Sequence, residues 1–309
     1  MIQMVREPRT LGEVLRINDF RLTEGDKVEY LTFPSLERTG IVRHLITTRL
    51  GGVSKGDFAT MNFSFTRGDR EEDVRENYRR IGQVLGCSPE NMTASRQTHT
   101  TNIRLVTGAD RGKGITRLSD YQDVDGLMTD EPGIALVTFY ADCVPLLFVD
   151  PIHRAIGSAH SGWRGTVGRM GQCMVEAMGE AFGTRPKELQ AAIGPSICQA
   201  CYEVSREVAE QFAALDMETE ELKREILERG IYREGTSGGL PRVVEPGIAP
   251  EKYQLDLWLA NLLILRRAGI PLEQIAVTDL CTRHNSSYLF SHRESGARRG
   301  NIAAFLMLC

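Results

Sequence analysis

The stretch Asp142-Cys-Val-Pro-Leu-Leu-Phe-Val-Asp-Pro-Ile-His-Arg-Ala-Ile-Gly-Ser-Ala-His-Ser-Gly-Trp-Arg-Gly165 puts a cysteine at the head of one apolar run and a histidine at the foot of the next. Pro145 to Val149 is short and apolar and runs into Asp-Pro, the pattern of a buried strand that ends in a turn. Arg154 to Ala159 reads as the returning strand. A hairpin of that length sets the start of its first strand beside the end of its second, so Cys143 and His160, 17 residues apart (160 minus 143), can share one site. The small residues of Ser161 to Gly165 let backbone approach a ligand. They also lead into a helix whose free N–H groups suit an anion.

Upstream, Met92 to Gln97 reads as a strand ending in the polar loop that carries His99. Two histidines and a cysteine suit zinc, and three protein ligands leave a fourth tetrahedral position for water or substrate. No short metal motif spans His99 to Cys143, so a buried cysteine beside two hydrogen-bonded histidines stands as the competing reading.

The chain has 309 residues, enough for one large core or two modest domains. Lys and Arg number 37 against 41 Asp and Glu, a net charge of −4, and they are interspersed, which argues against nucleic acid as main partner. The seven cysteines, an odd number behind a polar start from Met1 to Thr10, point to reduced thiols. Apolar runs such as Ile302 to Cys309 fall far short of the roughly 20 residues of a membrane helix. A soluble cytoplasmic protein without membrane partners is expected.

Helices are expected at Asp73 to Leu85, with a stripe of Val74, Tyr78, Ile81 and Leu85, at Gly168 to Phe182, and at Ser205 to Ala214 with Ser205 as cap. Another carries Leu255, Leu259, Leu262, Leu263 and Arg266. Strands are expected at Ile134 to Phe139, Leu189 to Ile193, Gln274 to Leu280 and Asn301 to Leu308. Asp216 to Gly239 is charged and then glycine-rich, and reads as a solvated insert or mobile loop. Residues 1–27 read as an N-terminal arm with a short helix over Leu11 to Ile17. Pattern alone gives mixed α and β.

Arg49, in Thr-Thr-Arg-Leu-Gly-Gly-Val-Ser, could grip a phosphate bidentately or be a surface arginine in a turn. Asp142 is a candidate acid/base or a partner of the ligands, against a structural turn role. Cys198-x-x-Cys201 lacks a second pair at metal spacing and reads as structural, and Cys281 reads as a buried strand-end thiol. His44, His153 and His284 have no assignable partner, His292 sits in a motif beside a candidate arginine, and Trp163 could stack a base or anchor packing.

Thr47 to Ser54, Met61-Asn-Phe63, Gln97-Thr-His99, Ala141 to Pro145, Ala159 to Gly165, Ile193 to Ile197, Tyr202-Glu-Val204, Cys281-Thr282 and Phe290 to Arg293 stand in an order seen in one family. From about Arg43 to Leu308 the chain resembles the laccase-domain family, also labelled YfiH-like or polyphenol oxidase. Its members are described as purine nucleoside phosphorylases with adenosine deaminase side activity. The resemblance implies a single α+β domain over residues 28–309, an α/β/β/α layered sandwich with mixed sheets. It implies zinc, favoured over copper, on His99, Cys143 and His160, and phosphate held by Arg49, Arg164 and Arg293. The implied substrates are phosphate and a purine nucleoside: adenosine, inosine, guanosine or S-methyl-5′-thioadenosine. Thr100-Thr101 and Ala297-Arg298-Arg299-Gly300 depart from the family pattern, which leaves open whether Arg298 or Arg299 faces the site. Three rival readings stand beside it: a hydrolase with Cys143 as nucleophile and His160 as base, a copper-dependent polyphenol oxidase, and a binding or partner protein that keeps the site only as a structural zinc.

Overall fold

In the computed structural model, which describes residues 2–4, 13–215, 219–232, 234–235 and 239–309, the central strands send alternate residues into different cores. Along Ile302–Leu308, the residues Ile302, Ala304, Leu306 and Leu308 enter one core while Ala303, Phe305 and Met307 enter another. Val144–Asp150 does the same, with Val144, Leu146 and Phe148 on one side and Leu147 and Val149 on the other. Period-2 alternation with apolar residues on both faces means that each sheet is covered on both sides.

Two six-stranded sheets result. In the first, Arg16–Arg21, Lys27–Thr32, Val42–Thr47, Ile302–Leu308, Ala135–Tyr140 and Met92–Ala94 follow in that order. All pair antiparallel except the last two. In the second, Ile275–Val277, Gln190–Ile193, Val144–Asp150, Ala155–Ser161, Gly126–Thr129 and Ile103–Leu105 follow, with parallel pairs at its two edges. A small third sheet holds Glu203–Ser205, Lys252–Leu255 and Val244–Pro246.

The two large sheets share the core of Leu136, Leu147, Ile156, Ala192 and Ala304. Helix Glu71–Leu85 covers the outer face of the first sheet with Val74, Tyr78, Ile81 and Leu85. Its acidic first turn and the left-handed Gly86 that ends it are ordinary helix punctuation. Helices Met170–Phe182 and Leu257–Arg267 cover the second sheet. The expected α/β/β/α layering is therefore the observed one. No helix among the described residues is long and apolar enough to cross a membrane.

Three expectations fail. Asp216 to Gly239 is not simply a loop: Glu220–Glu228 is a helix, capped by Thr219, and it buries Ile226 in the core beneath the second sheet. Leu222 and Ile226, four apart, form an apolar stripe that the surrounding charges hide. Residues 216–218, 233 and 236–238 of that segment lie outside the described residues. Over the described part of Leu11 to Ile17, Leu15 is buried and Arg16 opens a strand instead of a helix, because six register pairs with Lys27–Thr32 outweigh a weak helical stripe. The expected arm thus supplies the edge of the first sheet, and Gln3 exchanges two hydrogen bonds with Asn285. Third, Ser205 occupies the N-cap of Arg206–Ala213, but its side chain makes no cap bond.

Phe305 is fully buried where the helix meets the first sheet, edge-on to Phe63 at 5.4 Å between ring centroids. Phe305→Ala is expected to lower the stability measured by urea unfolding by about 3–5 kcal/mol. A loss under about 1 kcal/mol would show that this layer is not close-packed.

Candidate metal centre and active site

Cys143 and His160 meet because the hairpin closes in one register, with Val144 opposite Ser161 and Pro145 opposite His160. His160 is then fixed twice to one residue. Its backbone N–H donates to Asp125 O at 2.8 Å and its Nδ1 lies 2.8 Å from Asp125 Oδ1. With Nδ1–H donated to a carboxylate, the Nε2 lone pair is left for a ligand.

Asp125 also builds the loop that carries His99. Its carboxylate accepts from the backbone N–H groups of Thr98, His99 and Thr100, each at 3.0 Å, and from the Thr100 hydroxyl. This wrapping holds His99 at φ 68, a left-handed conformation that a non-glycine residue adopts only when its surroundings impose it. Burial opposes charge on Asp125, yet the His160 imidazole and those N–H donors bring its pKa down to about 2. Burial also opposes a Cys143 thiolate, but His160 and His99 bring that thiol down to about 6. His160 is correspondingly raised to about 9, against burial, by the Cys143 and Asp125 charges.

The donor atoms of His99, Cys143 and His160 lie within 4.8 Å of one another, with Cys143 Sγ 3.9 Å from His99 Nε2. Bond lengths of about 2.3 Å to sulfur and 2.1 Å to nitrogen put such a pair roughly 3.5 Å apart around tetrahedral zinc, so the set fits with little adjustment. Gly162 is part of the fit. A Cβ there would stand 2.9 Å from Cys143 Sγ and 3.0 Å from His99 Cδ2.

The three residues border a cavity of about 650 Å³, also lined by Asp142, Arg67, Arg164, Tyr202, Arg293 and Arg299. Asp142 sits at φ 90, and its two oxygens accept from Thr282 Oγ1 and from the Arg293 backbone N–H, each at 2.6 Å. Arg164 lies 4.2 Å over the Trp163 ring, and Arg293 lies 5.1 Å over Tyr202 while donating to Glu203 O. Arg299 is buried, its Nε has no hydrogen-bond partner, and burial followed by repulsion from Arg67 lowers its pKa to about 10.

Arg49 does not join this group. Its guanidinium donates to Ala59 O at 2.8 Å and Ser286 O at 2.6 Å and stacks on Phe290, so it ties loops together, and it does not line the cavity. Of the two arginines left open, Arg299 faces the cavity and Arg298 is exposed beside Asp57. His292 lines the cavity rim. His44 is buried and accepts from the Phe33 backbone N–H, and His153 pairs with Asp150. Asp125 and Arg67 were not singled out in the sequence, and Tyr202 stood there only as part of a motif with no role assigned. Asp125 carries no local motif, and only its place in the loop network marks it.

The family profile described as multi-copper polyphenol oxidoreductase laccase matches residues 43–309. Purine nucleoside phosphorylase YlmD of Bacillus subtilis is 34% identical over 261 residues, which span 84% of this chain and 86% of that protein. Adenosine deaminase RL5, from an unknown prokaryotic organism, is 30% identical over 255 residues, 82% of this chain and 89% of its own. Among solved structures, YlmD from Geobacillus stearothermophilus superposes with a TM-score of 0.76 at 33% identity, over 90% of this chain and 96% of that one.

Gly162 has φ −73, so alanine is compatible with its backbone and only the crowding beside the ligands changes. Gly162→Ala is expected to fold and to lose at least about tenfold in metal affinity, measured by chelator competition on the purified protein. Unchanged affinity would mean that the loop yields and the three donors are not tightly held.

Proposed function

The chain belongs to the family described as multi-copper polyphenol oxidoreductase laccase, and on that footing we propose that it is a zinc-dependent purine nucleoside phosphorylase that also deaminates adenosine. One observation carries this reading: a His, Cys, His set opens onto a nucleoside-sized cavity in which five arginines, Arg67, Arg96, Arg164, Arg293 and Arg299, line the wall. Zinc on His99, Cys143 and His160 would supply Lewis-acid charge beside the substrate and make water there more acidic.

In phosphorolysis a phosphate oxygen bonds to ribose C1′ while the bond from C1′ to the purine nitrogen breaks, and the purine leaves with that electron pair. The arginines hold the phosphate in line and offset its charge. Arg299 is the strongest candidate, because it lines the cavity, is largely buried and carries an N–H with no partner of its own. Tyr202 and Trp163 offer flat faces to the base. Asp142 relays the phosphate proton to the departing nitrogen. Its hydrogen bonds to Thr282 and Arg293 hold the carboxylate still and leave lone pairs for the transfer. In deamination the same carboxylate takes a proton from the water that adds at adenine C6 and returns it to the amine, which leaves as ammonia.

The copper-oxidase alternative has less support. Beyond His99 and His160, the remaining histidines are dispersed or engaged elsewhere, so no second histidine cluster forms among the described residues. The Cys143–His160 pair keeps the nucleophile alternative testable.

With phosphate, inosine and guanosine are expected to yield free base and ribose 1-phosphate. Without it, adenosine should yield inosine. Arg299→Ala should raise the phosphate KM or lower kcat at least about tenfold, roughly 1.4 kcal/mol, with zinc content unchanged. Turnover that survives complete zinc removal, with a covalent adduct on Cys143 in the mass spectrum, would replace this mechanism by the cysteine-nucleophile one.

A further inference from the structure

Away from the His99, Cys143, His160 centre, Cys198, Cys201, Cys281 and His284 bring four ligand atoms within 4.8 Å of one another. The first pair lies on a single tight turn, where Cys201 N donates to Cys198 O at 3.0 Å and the three-residue spacing puts both thiols on one side. The second pair, Cys281-Thr-Arg-His284, starts a turn in which Asn285 N donates to Cys281 O. A short parallel bridge between Ser196 and Cys281, with Thr282 N donating to Ser196 O, sets the two turns side by side. Cys201 Sγ then lies 3.1 Å from His284 Nε2, Cys198 Sγ lies 3.9 Å from His284 Nδ1, and Cys198 N lies 3.4 Å from Cys281 Sγ.

We propose that these four residues form a second metal site, a closed structural zinc site of three thiolates and one imidazole. The spacing is Cys-x-x-Cys followed 80 residues on (281 minus 201) by Cys-x-x-His, two short pairs of the kind that structural zinc sites use. Thiolates exclude the hard cations magnesium and calcium. Three cysteines used only as small apolar side chains have no reason to crowd one imidazole. All three are buried free thiols, whereas His284 is exposed and closes the site from the solvent side. Four protein ligands leave no position for substrate, so the role is to staple.

What it staples is the rim of the cavity. Ile197 N, next to Cys198, donates to Asp142 O at 3.0 Å, and the hydroxyl of Thr282, next to Cys281, donates to Asp142 Oδ1. Arg293 Nη1 reaches Cys201 O at 3.4 Å. A metal joining the two turns thereby fixes both segments that hold Asp142, although none of its ligands lines the cavity.

The test uses the full-length protein in the Cys143→Ala background, which removes the only thiolate of the other centre, with cobalt exchanged for zinc under reducing conditions. This protein is expected to retain about one tightly bound metal per chain and to show an intense thiolate-to-cobalt charge-transfer band. Adding Cys201→Ser should cut that band. Adding His284→Ala, at an exposed position where truncation opens no core cavity, should weaken the metal at least about tenfold in chelator competition, with the far-UV circular dichroism unchanged. Absence of the band in the Cys143→Ala protein would overturn the proposal. So would an intact mass, for protein purified without oxidant, that is short by two hydrogens because a disulfide joins two of these cysteines. Neither result touches the purine reading, which rests on the other centre.

Discussion

The register of one hairpin governs the site. Val144–Asp150 and Ala155–Ser161 run through the middle of the second sheet, flanked on both sides and buried on both faces. A slip of one residue would exchange Val144, Leu146 and Phe148 with Leu147 and Val149 between two differently shaped cores, so the register is set by every pair at once. The turn is secured too, since Asp150 accepts from the N–H groups of Ile152 and His153. Helix Met170–Phe182 presses so close that a Cβ on Gly157 would lie 2.8 Å from Met174 Sδ. Hydrophobic packing thus decides where Cys143 and His160 stand, although neither belongs to the apolar core in any functional sense.

Polar chemistry then builds outward from that fixed point through Asp125. One carboxylate takes His160 Nδ1 and three consecutive backbone N–H groups, so the imidazole and the loop bearing His99 are oriented by the same two oxygens. Removing it would free His99 from its left-handed conformation and leave the tautomer of His160 unset. Arg49 shows the opposite economy. Its phosphate-like setting ahead of Gly51 and Gly52 is real in sequence, but the chain uses its fork to bind two carbonyls from distant loops.

The parts that could be read beforehand are those where one local pattern decides. The hairpin, the helical stripe of Glu71–Leu85 and the alternating C-terminal strand each carry their periodicity within a few residues. The parts that could not be read depend on contacts across long separations. Asp125 gains its importance from His160, 35 residues away, and Arg299 is distinguished from Arg298 only by which side of a short turn meets the cavity. Leu222 and Ile226 vanish among charges because three apolar residues in a helix of nine, Leu227 among them, do not raise a pattern above its surroundings. Cys198-x-x-Cys201 looked solitary because its counterpart ends in histidine, and a search for cysteine pairs passes over Cys281-Thr-Arg-His284.

The position of Asp142 joins these strands of reasoning. It stands next to Cys143, so the hairpin register sets its Cα, and its φ of 90 turns its carboxylate away from the regular strand path. Holding a non-glycine residue there costs of order 1–3 kcal/mol, which its neighbours must offset. They do so with hydrogen bonds from Ile197, Thr282 and Arg293, residues of three segments that are adjacent only in the fold. Two of these three lie next to cysteines of the sulfur cluster. A constraint that draws Cys198 and Cys201 toward Cys281 and His284 therefore acts on both donors at once. The strain at Asp142 is sustained by a frame that His99, Cys143 and His160 do not supply, which gives the proposed sulfur site a physical reason to hold cysteines at positions that do not line the cavity.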